Sequence, residues 1–241
     1  MISSSIAEVT LLDRRRYPKA ALFDLDGTLI DSVPDITLAV AELMATEALK
    51  PFDDAEIRVM VGYGLRVLVQ RAFAARGVHL DETGLGAMTR RMQGIYPRHL
   101  TRRTSLLPGA AECLAALAAE GCAIGLVTNK MQGAADTVLR HFGLTDRFAV
   151  ILGDHIRPQG LRPKPSSDML DFALARLGVA PVDAIMVGDS AADIRSAAAA
   201  GIFSVAVRNG YSSIPLEMLN PSAIIPDLTA LPDAIEAWRR G

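Results

Sequence analysis

Residues 20–29 read Ala-Ala-Leu-Phe-Asp-Leu-Asp-Gly-Thr-Leu: four apolar positions, then two carboxylates two residues apart and a glycine. So short an apolar run, with no polar alternation, fits a strand buried on both faces, as in a parallel sheet. Similar runs recur at 122–127, 148–152, 184–187, 203–207 and, more weakly, 223–225. Between the later ones lie amphipathic segments of helical length at 110–120, 132–142, 167–177 and 191–200, each followed by a glycine, Gly121, Gly143, Gly178 or Gly201. A residue without Cβ suits the left-handed C-terminal cap of a helix. This alternation predicts an α/β fold, a doubly wound (Rossmann-like) parallel sheet of about five or six strands.

One connection is far too long for that grammar. Roughly 100 residues separate Asp24 from Cys122, whereas a crossover needs about a dozen. Helical periodicity at 36–49, 55–75 and 85–99, punctuated by Pro, Gly and Asp, predicts a small helical domain inserted at 32–103. The core is then expected at 17–31 and 104–241, with 1–16 as a flexible leader.

Composition narrows the function classes. The chain has 241 residues, 50% of them apolar and 22% charged, and 25 basic side chains against 27 acidic ones leave a net charge of -2. Those values suit a globular protein and exclude disorder, and no basic surplus exists to neutralise a nucleic-acid backbone. The longest stretch free of charge, 196–207, is well short of the roughly 18 apolar residues that span a bilayer, so no membrane association is expected. The N-terminal residues lack the basic-then-apolar order of a secretory signal. Two cysteines, Cys113 and Cys122, make a disulfide framework implausible and a reducing cytoplasm the default. Nothing in the sequence reports the oligomeric state.

Ligands of an open parallel sheet bind beyond the carboxyl ends of its strands. Four groups stand there: Asp24 and Asp26 in Asp-Leu-Asp-Gly, Thr128 and Asn129 in Thr-Asn-Lys, Lys164 before Pro165, and Asp189 and Ser190 with Asp193 three residues on. Alternation points Asp24 and Asp26 the same way, and Asp189 adds a third carboxylate from a neighbouring strand end. Hard oxygen donors without His or Cys suit Mg²⁺ rather than zinc. Thr128, Asn129, Lys164 and a cation together suit a phosphoryl group. Taken singly, each has an ordinary structural explanation, as a turn, a helix cap, a surface lysine or a first-turn acid. Their joint occurrence at strand ends is what points to chemistry.

These motifs resemble the four signatures of the haloacid dehalogenase superfamily in its phosphatase branch, over the chain from about residue 19 to the end. The insertion between the first and second motifs resembles the family's C1 cap. Asp24 to Asp35, Val-Gly-Tyr-Gly-Leu at 61–65 and Arg-Asn-Gly-Tyr from Arg208 are most similar to the phosphoglycolate phosphatase-like group. The resemblance implies Asp24 as nucleophile and Asp26 as general acid and base. It implies Mg²⁺ on Asp24, the Asp26 carbonyl and Asp189, with Asp193 and Ser190 behind them, and Thr128, Asn129 and Lys164 on the phosphoryl oxygens. The partner is then a small phosphorylated metabolite. A β-phosphoglucomutase-like transferase shares the four motifs and the C1 cap, and a phospho-acceptor or binding module is the alternative from another class. The cap loop Gly62-Tyr63-Gly64 with Arg66 is expected to meet the substrate, and Arg66, Arg98, Arg102 and Arg103 are candidate cations for a carboxylate. His79, His99, His141 and His155 have no metal-ligand spacing and read as structural or surface groups.

Overall fold

The computed structural model describes residues 17–154 and 160–240. The expected leader, 1–16, and His155 lie outside them. Six strands form one parallel sheet: β1 (Ala20–Phe23), β4 (Ala123–Met131), β5 (Val150–Asp154), β6 (Ala184–Gly188), β7 (Phe203–Val207) and β8 (Ala223–Ile225), in the order β5-β4-β1-β6-β7-β8. The central β1 is wholly buried, and its alternating side chains explain its unbroken apolar run. Ala21 and Phe23 join one cluster with Ile124, Leu126, Ile185 and Val187, while Ala20 and Leu22 join another with Met169, Leu170 and Met186 on the opposite face.

The helices are α1 (Val33–Thr46), α2 (Asp54–Arg58), α3 (Leu65–Ala75), α4 (Glu82–Ile95), α5 (Ala110–Ala119), α6 (Gln132–His141), α7 (Asp168–Leu177), α8 (Ala191–Ala200) and α9 (Leu231–Arg240). The doubly wound reading therefore holds, and four helices fill the long connection after β1. A two-stranded antiparallel ribbon of β2 (Ile30–Asp31) and β3 (Ser105–Leu106) closes its base, pairing Ile30 with Leu106 and Asp31 with Ser105.

Two expectations about the elements need correction. The helical segment at 55–75 is two helices, because Gly62 and Gly64 adopt φ of 107° and 85°, which no helix accommodates. The second core strand does not stop at Val127: β4 runs on through Thr128, Asn129 and Lys130 to Met131, which pairs with Asp154 after a register shift. Those polar residues stay in the sheet, and their side chains find buried partners there. The ribbon, with two residues in each strand, carries no local pattern, whereas α9, which the sequence reading left out, has Leu231, Ala234, Ile235 and Trp238 at helical spacing.

Candidate active site

Asp24 is the first residue beyond β1, and its backbone N–H donates to Val187 O at 2.9 Å, which fixes it beside β6. Lys164 Nζ donates to Asp24 Oδ1 at 2.7 Å, Asp193 Oδ1 at 2.6 Å and Val127 O at 2.6 Å. All three of its N–H donors are thereby engaged. Burial opposes the Lys164 charge, but the carboxylates of Asp193 and Asp24 outweigh it and hold the pKa above the ordinary lysine value.

Asp193 sits in the first turn of α8, where its Oδ2 accepts the Ser190 backbone N–H at 3.0 Å and the Ser190 hydroxyl at 2.7 Å. Asp189 accepts the Thr28 hydroxyl at 3.2 Å and the Tyr211 backbone N–H at 2.5 Å. The main chain crowds it: a Cβ on Gly27 would lie 2.4 Å from Asp189 Oδ2, and one on Gly210 would lie 2.1 Å from Asp189 Cβ. The Gly-Tyr of Arg-Asn-Gly-Tyr, Gly210 and Tyr211, is thus explained by its contact with Asp189.

One carboxylate oxygen each from Asp24, Asp189 and Asp193 lies within 4.8 Å of the others. Three buried carboxylates against one ammonium leave an excess of negative charge. Burial, and then the neighbouring Asp193, push Asp24 up to about 6 against the pull of Lys164. The same causes, with Asp24 added, hold Asp189 well above the ordinary carboxylate range. A hard divalent cation fits this donor set and would relieve the repulsion.

The Asp26 side chain stands outside that trio. It accepts the Ser32 hydroxyl at 2.6 Å and Lys130 Nζ at 2.8 and 3.1 Å. Lys130 also donates to the Tyr96 hydroxyl at 2.5 Å. Asp24 and Asp26 nevertheless line one cleft, as alternation predicted, together with Thr128, Asn129, Lys130 and Tyr96. Asn129 is fully engaged in positioning: Oδ1 accepts the Lys164 N–H at 3.1 Å, and Nδ2 donates to Lys164 O at 2.9 Å and Gly62 O at 3.1 Å. Thr128 Oγ1 accepts the Lys130 N–H at 3.1 Å, leaving its own hydrogen to donate.

Of the expected cap loop, Gly62 and Gly64 line the cleft, but Tyr63 and Arg66 do not. Tyr63 lies under the Arg71 guanidinium, 4.8 Å from its ring centre, and the exposed Arg66 reaches Glu82 at 2.5 Å. Arg98 pairs with Glu42 on the surface, and Arg102 and Arg103 are exposed. The anticipated arginine partner for a substrate carboxylate is therefore not among the residues that line the cleft. His79 and His141 are exposed, while His99 is buried with Nε2 2.8 Å from Glu42. Ser32, Tyr96 and Lys130 are members of the site that the sequence reading did not single out. Lys130 had a signal, directly following Thr128-Asn129; Tyr96 had none.

Residues 18–201 match the model of the haloacid dehalogenase-like hydrolase family. The chain belongs to the haloacid dehalogenase-like hydrolases. Within such hydrolases it is 39% identical over 221 residues to the phosphoglycolate phosphatase of Rhodospirillum rubrum, covering 90% of each chain. It is 33% identical over 212 residues to that of Caulobacter vibrioides, covering 88% of each. The crystal structure of a predicted phosphoglycolate phosphatase from Haemophilus somnus 129pt superposes with a TM-score of 0.82 at 29% identity, over 90% of this chain and 96% of that one. As a haloacid dehalogenase-like hydrolase, the chain carries its carboxylate trio at the ends of β1 and β6 and in the first turn of α8. Among the described residues, no helix is long and apolar enough to cross a membrane.

Proposed function

We propose that this hydrolase is a Mg²⁺-dependent phosphoglycolate phosphatase that works through an aspartyl-phosphate on Asp24. The observation that carries the reading is the buried Asp24, held by Lys164 at 2.7 Å and facing the same cleft as a second carboxylate, Asp26, which has separate partners. Two carboxylates with different surroundings can divide nucleophilic and acid–base roles. The names of the relatives supply the substrate.

An Asp24 oxygen attacks phosphorus, and the bond from phosphorus to the alkoxide oxygen breaks while Asp26 delivers a proton to that oxygen. Asp26 then takes a proton from water, whose oxygen attacks phosphorus and releases Asp24 with inorganic phosphate. Thr128 donates its free hydroxyl hydrogen to a phosphoryl oxygen. Lys164 orients Asp24 and offsets negative charge, and Asn129 fixes the Lys164 backbone and the Gly62 loop. Asp24, Asp189 and the Asp26 carbonyl would hold Mg²⁺, with Asp193 and Ser190 supporting them. When bound, the cation offsets charge on the phosphoryl oxygens and the carboxylates. Residues 32–103 act as the cap, and 17–31 with 104–241 as the core. The free, buried thiols of Cys113 and Cys122 fit a cytoplasmic setting.

The test is initial-rate phosphate release with Mg²⁺ from 2-phosphoglycolate, a sugar phosphate, an amino-sugar phosphate and pyrophosphate, with Asp24→Asn as the blank. A strong kcat/KM preference for 2-phosphoglycolate is expected. A flat profile would discard the substrate, a fully active Asp24→Asn would discard the mechanism, and isomerisation of β-glucose 1-phosphate faster than hydrolysis would make it a mutase.

A further inference from the structure

The cleft contains a polar pair that the hydrolytic steps above do not use. Lys130 and Tyr96 come from β4 and from the segment just after α4, and they meet beside Asp26 with both side chains buried. Among the residues lining the cleft, Lys130 is the sole cation, because Lys164 lies behind Asp24. The remaining lining on the helical side is apolar or glycine: Ile36, Val61, Gly62, Gly64, Leu65 and Leu68. Among the described residues, such a wall offers a charged leaving group nothing apart from this pair and the backbone N–H groups that open α3, whose N-cap Gly64 has no side chain to satisfy them.

Donor geometry shows what the pair can accept. The Tyr96 oxygen accepts a bond from Lys130 Nζ, and among the described residues its own hydrogen has no acceptor. Burial holds the Tyr96 hydroxyl above its ordinary pKa, so that hydrogen stays in place. Lys130 serves Asp26 with one N–H shared between its two oxygens and Tyr96 with a second, so the cleft presents the third ammonium hydrogen and the Tyr96 O–H side by side, a pattern that two oxygens of one carboxylate satisfy together. A neutral hydroxyl or an alkyl group would leave the ammonium to Asp26 alone and gain nothing from it.

We propose that Lys130 Nζ and the Tyr96 hydroxyl form the subsite that binds a carboxylate on the leaving group. This selects small phosphomonoesters that carry an acid over those that are neutral. The proposal rests on phosphomonoester hydrolysis at Asp24, and it moves the choice of substrate from the cap arginines to a core lysine and one cap tyrosine. Lys130 is then shared: it orients Asp26 and also answers the charge of the departing group.

The experiment compares kcat/KM for 2-phosphoglycolate with kcat/KM for its carboxyl methyl ester and for ethyl phosphate. In the unaltered enzyme the ester and ethyl phosphate are expected to fall about 100-fold below the acid, since a site built to bond a substrate group rejects analogues that lack it. This arm needs no folded variant. In Lys130→Met the acid-to-ethyl phosphate ratio falls at least about 30-fold, and in Tyr96→Phe about 5-fold, mainly through KM for the acid. Lys130→Arg keeps more of the ratio than Lys130→Met. An unaltered enzyme that hydrolyses all three equally, or variants that lose rate equally on acid and neutral substrates, would overturn the subsite while leaving the phosphatase reading standing. Failure to hydrolyse any of the three would overturn that reading itself, and the subsite with it.

Discussion

The carboxylate of Asp35 accepts both the backbone N–H of Thr104, at 2.9 Å, and the Thr104 hydroxyl, at 2.8 Å. The Arg103 N–H adds bonds at 3.0 Å to each Asp35 oxygen. Asp35 opens the helical insert and Thr104 leaves it, so one buried side chain ties the entering and returning strands of chain together. Asp35→Ala orphans these donors and should cost about 3 kcal/mol. For a chain of this length that is a fall in Tm of about 10 °C, measured by calorimetry. An unchanged Tm would mean that the ribbon of β2 and β3 alone holds the base of the insert.

Asp24 gives a prediction with a definite sign. In the folded protein its carboxyl is pushed up to about 6, against 3.8 for an unperturbed one. Folding therefore favours its proton, and the stability it contributes is complete below about pH 4 and lost as the pH rises through about 6. Without metal, Asp24→Asn should flatten the decline in Tm between pH 4 and 7 and gain about 1–3 kcal/mol at pH 7. The same variant should lose at least about 1,000-fold in turnover. A clearly lower Tm at pH 7 would show that attraction to Lys164 outweighs the burial of charge.

Mg²⁺ should relieve the same repulsion in the unaltered enzyme. Binding to Asp24 and Asp189 favours their ionised forms, so saturating Mg²⁺ at pH 7 should add about 2–3 kcal/mol at a hundredfold excess over Kd. Chelation should abolish phosphate release. Thermal scans with and without EDTA read the first effect, and a Tm indifferent to Mg²⁺ would count against Asp24 and Asp189 as its carboxylate ligands.

Gly210 tests the cradle of Asp189. The added methyl of Gly210→Ala cannot be accommodated 2.1 Å from Asp189 Cβ, so either that side chain or the turn that presents the Tyr211 N–H must shift. Mg²⁺ affinity should drop about 10- to 100-fold, as followed by activity against Mg²⁺ concentration. Gly133→Ala is the control, because a Cβ there meets nothing within 4 Å.

Gly64 tests the loop above the cleft. It has φ of 85°, and a Cβ would lie 3.3 Å from the Asn129 carbonyl oxygen. Gly64→Ala should cost about 1–3 kcal/mol, because φ of 85° with ψ of 170° is a conformation that essentially only glycine adopts, and should also raise KM by lifting the loop from Asn129. Gly77→Ala also places a side chain at positive φ, 77°, but has nothing within 4 Å. It should lose stability and keep its KM; equal KM values for the two variants would remove the loop from substrate binding.

Much of this protein was legible before any coordinate. Buried parallel strands at 20–23 and 203–207 and the helix at 191–200 announce themselves because burial on one or both faces writes a local period into the chain. Asp24, Thr128, Lys164 and Asp189 were readable as a set because a parallel sheet gathers its strand ends at one edge. Partner choice was not readable. Arg66 looked fit to meet a substrate and instead pairs with Glu82, while Lys130 looked incidental and instead lies buried between Asp26 and Tyr96. Asp35 and Thr104, 69 residues apart, carry no mutual signal in the sequence. Periodicity records how deeply a side chain is buried, but which donor meets which acceptor across such distances depends on how helices and sheet close against one another, and only the tertiary structure decides it.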